Sequence, residues 1–254
     1  MKLETTNAFK MLSSYNSELI ILSDEQLKKV QEVISDMLKD IVDICDTYHI
    51  NYHLTGGSAL GVVRHRGFIP WDDDLDIDMA RKDIKNFFYQ FEKKYGDRYW
   101  IHSPYSHGTH CMQCYHIRKK NTVFRGCSDA VTDQCGIGID ILAMENTYDN
   151  CIMRNLHGLV SLMFGLIVSC RRFYMNREYL LQLSKNVEEI QRVFKKKILI
   201  GKMFSFLSLE KWTRLYNWWN SICHNENSKY VVVPTGRKHF FGELYLREDF
   251  AETT

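Results

Sequence analysis

Apolar residues recur every three or four positions from Leu27 to Tyr48, through Val30, Val33, Ile34, Met37, Leu38, Ile41, Ile44 and Cys45. That spacing predicts one long amphipathic helix. Ser23-Asp-Glu-Gln26 in front of it has the hydroxyl and the amide of a capping box, and the pattern ends near His49-Ile50-Asn51. Tyr52–Thr55 reads as a short strand, Gly56-Gly57-Ser58 as a turn, and Ala59–Arg64 as the start of a helix. The period then drops to two. Leu75, Ile77 and Met79 alternate with Asp74, Asp76 and Asp78, which predicts a strand with one apolar face and one face of carboxylates. If the strand extends that far, Asp72 shares the acidic face and Asp73 points away.

A helical pattern returns over 82–95 through Ile84, Phe87, Phe88 and Phe91. Strands are predicted at Tyr99–Ser103, Cys111–Arg118 and Thr122–Phe124. Ile137, Ile139 and Ile141 form another, with Asp140 alone on its second face. Beyond about residue 146 helices dominate, over roughly 150–172, 177–195 and 209–223, with a β-like stretch at Tyr230–Val233. The apolar run 158–170 is short for a membrane span and closely flanked by Arg154, Arg171 and Arg172, so it reads as a buried helix. The fold expected is α+β, a mixed sheet flanked by helices with a helix-rich C-terminal half. It forms a single unit over 1–254, with a catalytic core at about 23–145 and a helical remainder at about 146–254.

Composition narrows the partners. A formal net charge of +2 gives no electrostatic case for nucleic acid. The 8 cysteines are scattered and the start MKLETTNAFK is polar. Without a secretory pattern the thiols are expected to be reduced and the chain cytoplasmic.

The candidate chemistry lies in five aspartates packed into seven positions, Asp72, Asp73, Asp74, Asp76 and Asp78. An Asp run is commonly a solvated loop. Here the alternation with Leu75, Ile77 and Met79 anchors the acids on a packed strand. Alternate positions lie about 6.5–7 Å apart on one strand face, a separation that divalent cations can bridge. Oxygen-only ligands favour Mg²⁺ or Mn²⁺ over zinc, and the calcium-loop spacing is absent. An adjacent Gly-rich turn suits phosphate, and the combination suits phosphoryl transfer.

The stretch GGSALGVVRHRGFIPWDDDLDI, residues 56–77, resembles the signature of the LicD family. That family includes bacterial phosphocholine transferases and is similar to fukutin and fukutin-related protein. Gly136-Ile-Gly-Ile-Asp140-Ile141 resembles the family's second acidic block, and Arg118-Lys-Lys-Asn-Thr122 the basic segment between the two. The resemblance covers about residues 25–145 well and implies a nucleotidyltransferase-like fold. It implies a reaction in which a CDP-linked donor, CDP-choline or a CDP-alditol, passes its phospho-substituent to a cell-surface glycan hydroxyl and releases CMP. By position it implies Asp74 and Asp76 as the metal-binding pair, with Asp72 and Asp140 completing the site or serving as base. It also implies Gly57 and Ser58 at the phosphate side and Arg64 as a partner for donor phosphate. The family's C-terminal block is expected to be lacking after Leu244–Phe250, which leaves three readings: a truncated family member, a fragment, or a protein completed by a partner chain. Two other functions fit the residues. One is transfer of the nucleoside monophosphate itself; the other is a non-catalytic, partner-dependent subunit of polysaccharide assembly.

The remaining signals are weaker. Cys111 and Cys114, with Cys127, Cys135, His107, His110 and His116, lack regular zinc spacing and read as buried thiols beside solvated histidines. Lys195-Lys-Lys197 followed by Ile198–Leu207 reads as a charged helix end entering the core. Its alternative is a peripheral contact with the inner face of a membrane. Trp212, Trp218 and Trp219 with Tyr216 at helical spacing read as a core stripe, with stacking on sugar as the alternative.

Overall fold

The computed structural model describes residues 8–9, 12, 21–126 and 133–253, the last three by backbone alone. The polar start and Cys127 lie outside the described residues. Helix α1 (Asp24–Tyr48) opens on the expected capping box: Ser23 Oγ accepts the Gln26 N–H and Gln26 Oε1 accepts the Ser23 N–H. Its buried stripe, Val30, Ile34, Met37, Ile41 and Ile44, is the one the periodicity marks. The helix stops at His49, whose φ of 54° is left-handed.

Among the described residues seven strands follow: β1 (Tyr52–Leu54), β2 (Asp76–Ala80), β3 (Tyr99–His102), β4 (Tyr115–Lys119), β5 (Gly138–Asn146), β6 (Tyr230–Val232) and β7 (Leu244–Leu246). They form a mixed sheet in the order β1-β2-β5-β4-β3, with β6 paired to the end of β5 and to β7. Only the β2–β5 pairing is parallel within the named strands. The helices are α2 (Gly56–His65), α3 (Arg81–Tyr95), α4 (Cys151–Met175), α5 (Arg177–Leu183), α6 (Glu188–Met203), α7 (Leu209–Asn220) and the short α8 (His239–Gly242). This is the α+β fold expected, a mixed sheet flanked by helices.

Period two divides the sheet. Ile77, Met79, Ile117, Ile139 and Ile141 join Ile34, Met37, Phe87 and Phe91 of α1 and α3 in the main core. The opposite face carries Asp76, Asp78, His116 and Asp140, with Asp76 and His116 both in register with Asp140. A buried ion pair helps to join the two halves of the chain. Arg81, at the start of α3, bonds both oxygens of Glu145 at the end of β5 through Nε at 2.9 Å, and also reaches Asn217 of α7 at 2.9 Å. Glu145 is 1% exposed, so its charge is tolerable only with this partner.

Several expectations change. Gly56 and Gly57 are the first turn of α2 and not a separate turn before it. The acidic strand begins at Asp76, which leaves Asp72, Asp73 and Asp74 in irregular chain, because a turn from Ile69 to Asp72 (Asp72 N–H to Ile69 O, 2.9 Å) sets their path. Strand β4 starts at Tyr115 instead of Cys111, since residues 108–110 form a 3₁₀ turn and Cys111 only bridges Ser103. Thr122–Phe124 is no strand: Thr122 Oγ1 donates to Lys119 O and accepts the Ile137 N–H, closing a loop. The helix expected over 177–195 breaks after Leu183, where Ser184 Oγ takes the Leu180 carbonyl, and α6 then runs on to Met203.

The largest correction concerns 158–170. It lies within α4, but α4 is covered on one side only, by α6 and α7, and Ile152, Leu156, Leu159, Met163 and Leu166 remain exposed. Among the described residues α4 is the one helix long and apolar enough to cross a membrane, and 28% of its apolar window is buried.

Candidate active site

The acid-rich loop is held from two sides. Gln31 Nε2 of α1 donates to Asp72 O at 2.9 Å, and α2 lies so close that a Cβ on Gly61 would sit 2.5 Å from Gly67 O. Ser58 Oγ accepts the Asp76 N–H at 2.9 Å and so ties the first turn of α2 to the head of β2. The Asp140 N–H bonds Leu75 O at 3.1 Å, fixing β5 beside it. The N-terminus of α2, with its unshared backbone N–H dipoles, therefore faces the carboxylates.

Asp72, Asp73 and Asp74 offer oxygens that all lie within 4.8 Å of one another. Asp73 thus does not point away: outside the strand, period two no longer governs it. Asp76 and Asp140 adjoin this group across the β2–β5 pairing. Burial, then the charge of Asp140 and Asp74, pushes the Asp76 carboxyl up to about 7. Asp74 is pushed to about 6 by its dense surroundings and by Asp72 and Asp140. Asp78 is no surface residue. It is 2% exposed, one of its oxygens has no hydrogen-bond partner, and burial raises it to about 7 against a bond from Thr55.

Two cations reach the cluster. His116 pairs with Asp140 through Nδ1 and accepts or donates at Nε2 to Cys114 Sγ, 3.2 Å away. Burial opposes a charged ring, but Asp140 and Cys114 outweigh it and hold His116 protonated well above its usual range. Arg237 arrives from the C-terminal segment and favours the Asp74 carboxylate. Glu243 and Tyr245, hydrogen-bonded to each other, face Asp78 from that segment.

The structure brings Asp72, Asp74, Asp76, Asp140, Gly57 and Ser58 together. Arg64 stands apart, exposed in the last turn of α2 and about 10 Å along the helix axis from Gly57. Sequence reasoning missed Arg237, Glu243 and Tyr245, and it weighed His116 only for zinc. The one available signal for His116 was its place on a strand of period two. Cys111 does not join it in a metal site, since its thiol bonds Pro104 O.

Gly57 is needed for close approach. A Cβ there would lie 2.8 Å from Asp72 Oδ2, a mobile carboxylate and not backbone. Gly57→Ala is therefore expected to change stability by less than about 1 kcal/mol while displacing Asp72. Thermal melts should be near wild type and activity about tenfold lower or worse.

Residues 49–157 match the family described as the LicD/FKTN/FKRP nucleotidyltransferase domain. The lipopolysaccharide cholinephosphotransferase LicD of Haemophilus influenzae is 43% identical over 61 residues, 24% of this chain and 23% of that protein. An uncharacterized protein of Rickettsia prowazekii is 36% identical over 85 residues, 30% of this chain and 32% of its own length. The human ribitol 5-phosphate transferase FKRP is 39% identical over 46 residues, 18% of this chain and 9% of that protein. Each match thus spans less than a third of the relative. No solved structure matches the chain. The first turn of α2, the acid loop and the Asp140 strand all fall inside the matched stretch, so residues 49–157 are similar to a LicD/FKTN/FKRP nucleotidyltransferase domain.

Proposed function

We propose that the chain transfers a phospho-substituent, phosphocholine in the first instance, from a CDP-linked donor to a glycan hydroxyl, with release of CMP. The supporting observation is the convergence of Asp72, Asp74, Asp76 and Asp140 at the N-terminus of α2, with Asp74 and Asp76 pushed above the ordinary carboxylate range by their dense surroundings and by the charges of Asp72 and Asp140. Such a cluster is poised for a hard divalent cation. All donors are carboxylate oxygens, which fits Mg²⁺ or Mn²⁺. Asp72, Asp74, Asp76 and Asp140 would hold the ion, which when bound neutralises phosphate oxygens.

The chain's own groups do the rest. Backbone N–H groups at Gly57 receive donor phosphate oxygens, and Arg237, whose charge is felt at Asp74, offers a further positive group. His116 orients Asp140. The acceptor oxygen attacks the phosphorus that bears the substituent and loses its proton to a carboxylate of the cluster. The bond from that phosphorus to the CMP oxygen breaks, and CMP leaves with the electron pair.

Relatives named for cholinephosphate and ribitol 5-phosphate transfer favour this reading over transfer of the nucleotide. The test is CMP release from a panel of CDP-choline, CDP-ribitol and other CDP-alditols with glycan acceptors, with and without EDTA. Free CMP that EDTA suppresses is expected. An acceptor carrying the nucleotide would establish the other chemistry, and donor binding without turnover would establish a non-catalytic subunit.

A further inference from the structure

The exposed apolar face of α4 is unexplained by the active site. Ile152, Leu156, Leu159, Met163 and Leu166 follow the spacing of one helical stripe, and Leu159 is 61% exposed. The neighbouring stripe through Leu162 and Leu166 continues to Ser169 and Phe173, which α6 covers by way of Lys197. On its own outer side α6 exposes Leu199 and Met203, and Phe206 follows at 71% exposure. Lys195 and Lys202 stand on that same α6 face, with Lys196 beside them, all exposed. Trp218 of α7 and Phe241, which packs over Gly158, are exposed at the other end. No Asp or Glu occurs over residues 150–177 or 190–209.

We infer that this face seats on an anionic lipid bilayer surface, with α4 lying in the headgroup plane. An apolar stripe edged by lysines and aromatic residues, with the acids of α6 confined to its first turn at Glu188 and Glu189, is complementary to apolar chains beneath negative headgroups. The buried side of α4 excludes a crossing orientation. Ser161 bonds Asn220 at 2.7 Å, His157 bonds Trp219 O at 2.9 Å and Arg171 bonds Gly201 O at 2.8 Å. Insertion across a bilayer would sever all three. A second copy is the poorer occupant, because a symmetric contact would set the lysine edge against itself, while the acids of α6 lie in its first turn, where Glu188 already pairs with Arg192. The inference is independent of which donor the active site uses.

The test is flotation of the full chain with phosphatidylcholine vesicles, with and without phosphatidylglycerol, alongside light scattering for oligomeric state. Binding is expected to the anionic vesicles by a monomer. Leu159→Glu with Met163→Glu should keep the wild-type melting curve and lower partitioning about tenfold or more. Lys195→Glu, Lys196→Glu and Lys202→Glu combined should lower binding to anionic vesicles roughly tenfold. Three results would overturn the proposal: no flotation of the wild-type chain, equal flotation of the apolar variant, or a dimer that the same two substitutions dissociate.

Discussion

Asp76→Asn is expected to lower CMP release by about a thousandfold or more while leaving a folded chain. Asp76 is the first residue of β2, its N–H is fixed by Ser58 Oγ, and its carboxyl sits among Asp74, Asp78 and Asp140. An amide of the same shape keeps the strand and removes one negative oxygen from the set proposed to hold the cation. Because the carboxyl is held near neutrality by burial and like charges, its replacement should leave thermal stability unchanged or higher above neutral pH. A control sharpens the result. Asp78→Asn removes a charge two residues along the same strand face, but that side chain is almost fully buried and bonded to Thr55. It should retain activity within about tenfold. Full turnover by Asp76→Asn, or equal losses in both variants, would remove Asp76 from the cation-holding role.

What could be read in advance was what local chemistry dictates. The capping box at Ser23, the α1 stripe and the alternation around Ile77 each depend on residues within one turn or one strand, and each took the expected form. The acid loop was legible as a site but not as a shape. Period two predicts a strand back through Asp74 and Asp72, whereas the turn from Ile69 to Asp72 delays its start to Asp76 and brings an oxygen of Asp73 beside those of Asp72 and Asp74. His116 and Arg237 reach the cluster from β4 and the far C-terminal segment, so no short spacing could announce them. The burial of α4 was misjudged for a different reason. Hydropathy measures what a helix would bury, and α6 and α7 cover only one of its sides.

Removing divalent cations should make the fold more sensitive to alkali, and the sign follows from the raised carboxyls. Asp76 and Asp78 hold their protons up to about 7 in the folded chain, against an ordinary value of 3.8. The folded state therefore binds protons more tightly than the unfolded chain across that interval. Stability falls as pH rises from about 4 toward 7, by up to about 1.4 kcal/mol per pH unit for each group. His116 acts in the same direction: its raised pKa contributes stability below its ordinary value of 6.5, and that contribution is lost as pH climbs through the higher folded value. Mg²⁺ held there, as proposed, would stabilise the ionised form of the cluster and add stability by mass action. Saturating Mg²⁺ should consequently raise the melting temperature more at about pH 8 than at about pH 5.5, by roughly 5 °C or more. Asp78→Asn should flatten part of the metal-free decline without changing the Mg²⁺ increment, whereas Asp76→Asn should flatten the decline and abolish the increment together. An Mg²⁺ increment that is equal at both pH values, or that survives in Asp76→Asn, would mean that the cation stabilises the chain somewhere other than this cluster.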